Sequence, residues 1–347
     1  MDSASRPPAG PAQALAQMLA GNQVQQAIYV AARLGIADLL HESPRSSDEL
    51  ARAAGAHPEA LYRLLRALAG IGVFAEGHGR RFELTPMGNL LRSNTPESVL
   101  PFALWSGGVS YQAFGGLEHS VRTGDPAFEH LFGMEFFAYL ATHPESGTVF
   151  DEMMSRHTAP VARAMAGYDL SGVGTVVDVG GGRGELLAAI LLAHPAIRGV
   201  LVDQPRVLAG ARAVFEHAGV ADRVTAVAGD IIEAVPAGDA YLLKSVLHGL
   251  PDGDAVRVLG NCRRAMRPEG RLLVIEFVLP APNEPSPGRL MDLLMLVGCH
   301  GRERSAEEFE ALFHAAGLRL ADVAATRHGY RIVEGRAAAA QRAPVHA

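Results

Sequence analysis

The run Thr175-Val176-Val177-Asp178-Val179-Gly180-Gly181-Gly182-Arg183-Gly184-Glu185-Leu186-Leu187 constrains the fold of this chain more than any other. Its first residues are β-branched and read as a short buried strand, the glycines as a tight turn, and Glu185-Leu186-Leu187 as the start of a helix. The glycines fall as D-x-G-x-G-x-G, on Asp178, Gly180, Gly182 and Gly184. Glycine tolerates positive φ and lets a ligand lie against bare backbone. The dinucleotide fingerprint G-x-G-x-x-G does not fit, because counted from Gly180 its last position falls on Glu185. The turn is therefore either an ordinary strand-to-helix connection or a cradle for a different ligand.

From this turn onward the chain alternates strand and helix, the pattern of a parallel sheet covered on both faces. After Thr175–Val179 come a helix from Glu185 to His194, a strand Gly199–Asp203, a helix Val207–Ala218, and a strand Arg223–Val227 leading to Gly229-Asp230. Ala240–Leu247 and Arg271–Glu276 give the fourth and fifth strands. Ser305-Ala306-Glu307-Glu308 is a capping box opening a helix to Ala316, and the pair Leu318–Ala324 and Tyr330–Val333 closes the sheet. In such a sheet ligands bind outside the carboxyl ends of the strands. The glycine turn, Asp203, Asp230, His248 and Glu276 all stand there. Asp203, about 20 residues past the glycines, can accept both hydroxyls of a ribose, and Asp230 with Ile231 can hold an adenine amino group against an apolar face. Each acid taken singly is an exposed strand end. Together, at successive strand ends, they form a site.

Of 31 Lys and Arg residues only Lys244 is lysine. A compact ammonium and a planar guanidinium are not interchangeable in a tight site, so a lysine that survives a strong arginine bias draws attention to its strand. Side chains alternate faces along a strand. Lys244, Val246 and His248 share one side if the strand runs that far.

Ahead of the sheet, residues 1–12 are rich in Pro, Ala and Ser and read as disordered. Apolar residues at helical spacing give a helix from Ala14 to Leu40 with many Gln and Asn residues among them, a face suited to packing on another subunit. Ser47 caps a helix, Gly55 turns the chain, a second helix follows Pro58, and Val73-Phe74 with Arg81–Leu84 makes a hairpin. Helix, turn, helix and wing suggest DNA binding. The second helix carries Arg63 and Arg66, but little basic charge surrounds them, so a dimerisation or lid role is preferred. Residues 94–165 read as helical and aromatic-rich. Most of these rings belong to the core, but Trp105, beside Gly107-Gly108, and Phe150 with Met154, spaced i, i+4, would suit a flat aromatic ligand.

Composition narrows the partners. A net charge of −6 with no basic block argues against nucleic acid. Cys262 and Cys299 lack metal spacing and read as free thiols of a reducing compartment. His41, His57, His143 and His157 offer no ligand spacing either, so no metal is expected. With no bilayer-spanning run and no leader pattern, the expectation is a cytoplasmic protein without membrane contact.

Two motifs carry a resemblance. The D-x-G-x-G-x-G turn resembles motif I of the class I S-adenosylmethionine (SAM) methyltransferases. Leu243-Lys244-Ser245-Val246-Leu247-His248 resembles the LLK-x-VLH motif of the plant-type small-molecule O-methyltransferases, a family that includes caffeate, flavonoid, acetylserotonin and bacterial polyketide-tailoring enzymes. The likeness spans nearly the whole chain, including Gly301-Arg302-Glu303-Arg304-Ser305 before the last helix. It implies a Rossmann-like α/β domain behind a mostly helical winged-helix dimerisation domain. The divisions expected are a disordered start at 1–12, dimerisation at 13–95, a helical linker and substrate lid at 96–168, SAM binding at 169–335 and a tail at 336–347. The resemblance further implies a homodimer, and S-adenosyl-L-methionine as cofactor with S-adenosyl-L-homocysteine (SAH) as its product. Gly180, Gly182, Asp203, Gly229, Asp230, Ile231, Lys244 and Ser245 would contact the cofactor. His248 would be the general base, bracketed by Glu276 and Glu303, and Trp105, Phe150, Met154 and Met295 would line an aromatic acceptor.

Plant members carry Asp-Trp after the histidine, where this chain has Gly249-Leu250. That disfavours lignin-type acceptors, leaves room for a larger ring system, and points to bacterial enzymes of aromatic natural products. Two alternatives stay open: the same fold using SAM for hydroxylation or decarboxylation, and a ligand-sensing regulator that binds DNA.

Overall fold

The computed structural model describes residues 10–326 and 329–338. The chain divides into two compact units, Met1–Gln112 and Ala113–Ala347, so residues 96–168 are shared between them.

In the first unit the helix expected over Ala14–Leu40 is three: Pro11–Leu19, Gly21–Arg33 and Ile36–Leu39. Gly35, at φ 64, makes the second break by adopting the left-handed conformation open to glycine. Helix already begins at Pro11, which shortens the segment read as disordered; residues 1–9 of it lie outside the described residues. Ser46 rather than Ser47 caps Ser47–Ala54: its Oγ accepts from the Glu49 N–H while Glu49 accepts from the Ser46 N–H, and Ser47 is buried at the first helical position. Pro58–Gly70 and the wing strands Phe74–Gly77 and Arg81–Leu84 complete the winged helix, around a core that includes Leu50, Leu65, Leu68, Phe74 and Phe82. Trp105 is buried here, in the helix Leu100–Gly107. The Gln25 and Gln26 side chains donate to the Ser106 and Gly107 carbonyls (2.8 and 2.9 Å), so part of the amide-rich face serves to close that helix. Leu15, Met18 and Leu19 remain exposed.

The second unit is a seven-stranded sheet in the order Leu318–Ala325, Arg331–Ala337, Met266–Glu276, Gly238–Lys244, Thr175–Val179, Arg198–Asp203, Val224–Ala228. The strands from Met266–Glu276 through Val224–Ala228 pair in parallel, and the first two are antiparallel. Arg331–Ala337 runs past the expected Val333 and takes in the start of the expected tail; residues 339–347 lie outside the described residues. Alternate residues feed two cores, Val176, Leu201, Leu242 and Ile275 on one face and Val177, Val202, Tyr241 and Val274 on the other. Gly210 splits the helix expected over Val207–Ala218 into Pro205–Leu208 and Ala211–His217. From Thr175–Val179 the chain steps outward on one side and returns at Gly238–Lys244 on the other. This is the topological switch point at which a crevice opens. No helix among the described residues is long and apolar enough to cross a membrane.

Candidate active site

The first wall of the crevice is the glycine turn. Gly180, Gly182 and Gly184 have φ of 66, 64 and 85, which side-chain-bearing residues rarely adopt. A Cβ on Gly180 would lie 2.9 Å from Val246 Cγ2, whereas over Gly182 and Gly229 the space is open for 4 Å. Asp203 holds the loop from the next strand: Oδ2 accepts from the Gly182 N–H (2.9 Å) and Oδ1 from the Gln204 N–H (2.7 Å). Asp230 stands exposed, accepting from the Ile232 N–H at 2.8 Å. Buried Asn261 donates to the Ile231 and Ile232 carbonyls (2.8 and 2.9 Å) and so fixes the loop that carries Asp230 and Ile231.

The second wall departs from the expected strand. That strand ends at Lys244, and Ser245 turns the backbone at φ 54. Lys244 continues the face of Ala240 and Leu242, while Val246 packs with Tyr241 and Leu243 on the opposite face. Lys244, Val246 and His248 therefore do not share a side, because a left-handed residue resets the alternation. Lys244 is buried, its Nζ donating to Ser245 Oγ (3.2 Å) and lying 5.3 Å from the centroid of the Tyr330 ring.

His248 sits in the 3-10 turn Leu247–Gly249. The two acids expected to bracket it do different things. Glu303 meets the ring, Oε1 to Nδ1 at 2.7 Å. Glu276 meets the backbone, Oε1 accepting from the Val246 and His248 N–H groups at 3.0 and 3.1 Å. A carboxylate only accepts, so Nδ1 carries the proton and the Nε2 lone pair is left free to act as a base.

Three further residues support this turn: Asp292, which the sequence did not single out, and Gly301 and Arg304, which stand in the motif before the last helix without a role of their own being legible there. Fully buried Arg304 donates to the Leu247 and Leu250 carbonyls (2.8 and 2.9 Å) and to Asp252 (2.8 Å). Asp292 accepts from the Glu303 N–H at 2.8 Å, and a Cβ on Gly301 would lie 1.9 Å from the His248 carbonyl oxygen. Arg304 stands in the Gly301–Ser305 motif, but the turn carbonyls it holds, those of Leu247 and Leu250, lie more than 50 residues away, beyond the reach of any spacing rule. Arg304→Met strands two acceptors at about 1–3 kcal/mol each. A fall in unfolding free energy of about 2–6 kcal/mol is expected, read from denaturant titration.

Burial dominates the electrostatics. It raises Asp178 to about 7, helped by Asp203 and Glu185 and opposed by Lys244, and it raises Asp203 and Glu276. It lowers Lys244 to about 8 against the pull of Asp178, Glu276 and Glu185, and it lowers His157, with the Lys244 charge adding. At His248 burial pulls downward, but the Glu303 hydrogen bond and the charges of Glu276 and Glu303 outweigh it, and the net shift is upward.

Phe150 and Met154 lie on one face of the helix Pro144–Met165, Phe150 edge-on to Phe136 at 5.2 Å between centroids. Met295 lies on Pro287–Gly298 with Cys299 Sγ 3.9 Å from its sulfur. Trp105 belongs to the first unit and is buried.

The crevice fits a cationic nucleoside ligand such as SAM. Backbone lies bare at Gly182 and Gly229, acids stand at two strand ends, and burial raises the carboxyls of Asp178, Asp203 and Glu276, leaving the crevice lined with groups that suit a cation.

Residues 114–319 match the O-methyltransferase domain and residues 16–94 the O-methyltransferase dimerisation domain. The chain is 46% identical to a phenazine O-methyltransferase of Lysobacter antibioticus, over 93% of this chain and 95% of that one. It is 36% identical to a phenazine-1-carboxylate N-methyltransferase of Pseudomonas aeruginosa, over 88% and 91%. Among solved structures it resembles an O-methyltransferase from neocarzinostatin biosynthesis in complex with SAM and 2-hydroxy-5-methyl naphthoic acid. There the TM-score is 0.82 and the identity 35%, covering 90% of this chain and 96% of that one.

Proposed function

The chain belongs to the family of SAM-dependent O-methyltransferases that carry an N-terminal dimerisation domain, and from that premise we propose that His248 is the general base for methylation of a hydroxyl on a polycyclic aromatic acceptor. When bound, SAM supplies an electrophilic methyl carbon on a sulfonium. Gly180, Gly182, Asp203, Gly229, Asp230, Ile231, Lys244 and Ser245 would surround it, with Lys244 acting from beneath as the counter-ion of buried carboxyls. Phe150, Met154 and Met295 would line the acceptor. We keep residues 13–95 as the dimerisation segment, 96–168 as linker and lid, and 169–335 as the SAM-binding segment. The exposed Leu15, Met18 and Leu19 are candidates for the face between two copies. Two free cysteines fit a reducing, cytoplasmic setting.

A phenol, with a pKa of about 10, keeps its proton at neutral pH. Neutral imidazole at Nε2 takes that proton as attack begins, and Glu303 stabilises the imidazolium through Nδ1. The observation that carries this reading is the 2.7 Å contact between His248 and Glu303. It also favours oxygen over a ring nitrogen as acceptor, because a nitrogen lone pair has no proton to lose and needs no base. The polycyclic class draws on the phenazine-acting relative and the naphthoate-bound neighbour. The test is incubation with SAM and a panel of hydroxyphenazines and hydroxynaphthoates. A mass gain of one methyl with stoichiometric SAH is the expected result. Conversion of the acceptor with no gain of a methyl and no SAH formed would favour the hydroxylation or decarboxylation alternative.

The pH profile gives a second check. Only neutral His248 works as a base, and its pKa is raised, so kcat/KM should rise with pH along a limb centred above the ordinary value of about 6.5. Glu303→Gln removes the largest upward influence, leaving burial opposed by the Glu276 charge alone among the nearby acids. The limb should move to lower pH and the plateau should fall about tenfold. An unmoved limb would remove Glu303 from the role.

A further inference from the structure

The helix Pro144–Met165 has two differently held parts. Pro160 removes one rung of its hydrogen-bond ladder, and beyond it Val161, Ala162 and Met165 are sunk in the core beneath the sheet. Ahead of Pro160, two side-chain ties run to the loops after the first two strands of the unit. Asp151 takes a bidentate ion pair from Arg206 (2.8 and 3.4 Å), which follows Asp203 by three residues. One turn on, Ser155 donates to Glu185 (2.5 Å), the first residue after the glycine turn. A Cβ on Gly147 would lie 3.3 Å from the Arg206 guanidinium, so the helix passes close over that side chain. Asp151 and Ser155 are spaced i, i+4, and so are Phe150 and Met154. At about 100° per residue the two pairs occupy adjoining stripes of one helix.

We propose that Asp151 and Ser155 are positioning residues: they tie the Pro144–Arg156 part of the helix to the two cofactor loops, so that filling those loops fixes the acceptor walls Phe150 and Met154. The inference rests on the methyltransferase reading for the identity of loops and walls. A ligand held by the glycine turn and Asp203 orders the backbone on which Glu185 and Arg206 stand. The ties pass that order to the helix, and Pro160 lets this part respond without disturbing the anchored end. Acceptor binding then meets a wall already in place, which is positive coupling between two sites.

The test is amide hydrogen exchange on the full chain with SAH alone as probe, alongside calorimetry for SAH affinity. In the wild type, SAH should slow exchange over residues 144–156 by about tenfold, within the usual range of coupling between sites. Asp151→Asn/Ser155→Ala should lose that slowing, with SAH affinity held within about threefold and protection of residues 161–165 unchanged. Ser155→Ala alone, a change too small to threaten folding, should weaken the slowing, and Ser155→Thr, which keeps the hydroxyl, should preserve it. Equal slowing in the wild type, Ser155→Ala and the double variant would overturn the proposal. So would a wild type that binds SAH without slowing over 144–156, which leaves the cofactor reading intact. A wild type that binds no SAH would overturn both.

Discussion

His248→Ala is expected to lower turnover of an un-ionised phenol by about 10²–10⁴-fold, the usual worth of a positioned base, with SAH affinity unchanged. The two parts separate because the base stands on its own turn. Its backbone is held by Glu276 and Arg304 and its ring by Glu303, and none of those contacts passes through the glycine loop. Removing the imidazole leaves the cradle and its acids in place and takes away only the proton acceptor. Steady-state rates with calorimetric SAH binding read both quantities. Loss of SAH binding together with rate would mean that the ring supports the cofactor site rather than the chemistry.

Gly301→Ala is expected to lower kcat/KM about 10²-fold although residue 301 bears no reactive group, the scale on which a misplacement of about 1 Å is felt. The added methyl would lie 1.9 Å from the His248 carbonyl oxygen and 2.7 Å from the Gly249 carbonyl carbon. Both are backbone atoms, so the turn or the Glu303 segment must move, and either movement breaks the alignment of Glu303 with the ring. Gly298→Ala makes a matched control, since a Cβ there meets nothing within 4 Å. Wild-type kinetics in Gly301→Ala, with a crystal structure or chemical shifts confirming the substitution, would mean that the turn tolerates displacement and does not set the rate.

The parts of this architecture that depend on neighbouring residues were legible in the chain. The β-branched run and spaced glycines gave the strand and turn at Thr175–Gly184, and the positive φ values fall on the glycines that the motif spacing marked. The acids at Asp203 and Asp230 follow from their places at strand ends. Inferences failed where one residue redirects the backbone. Gly35 and Gly210 cut helices that apolar spacing alone carries through. Ser245 takes a left-handed φ that nothing in the residue type announces, and the face of His248 changes with it. The division of labour between Glu276 and Glu303 was also hidden. Both are acids within reach of one histidine, and only the fold decides that one meets the ring and the other its backbone. Arg304 is the extreme case. A fully buried arginine looks like an error in a sequence profile, and becomes intelligible once the carbonyls of Leu247 and Leu250 are seen converging on it.

The central claim is that an imidazole on its own turn removes the acceptor proton, and the dependence of the His248→Ala defect on acceptor acidity tests it most directly. Single-turnover methyl transfer would be measured with a series of ring-substituted phenols, from ordinary acidity down to nitrophenols already ionised at the assay pH. The account predicts a large defect at the weakly acidic end that shrinks toward wild-type rates as the acceptor ionises unaided. A defect of equal size across the series, or none anywhere in it, would contradict a role for His248 as the base.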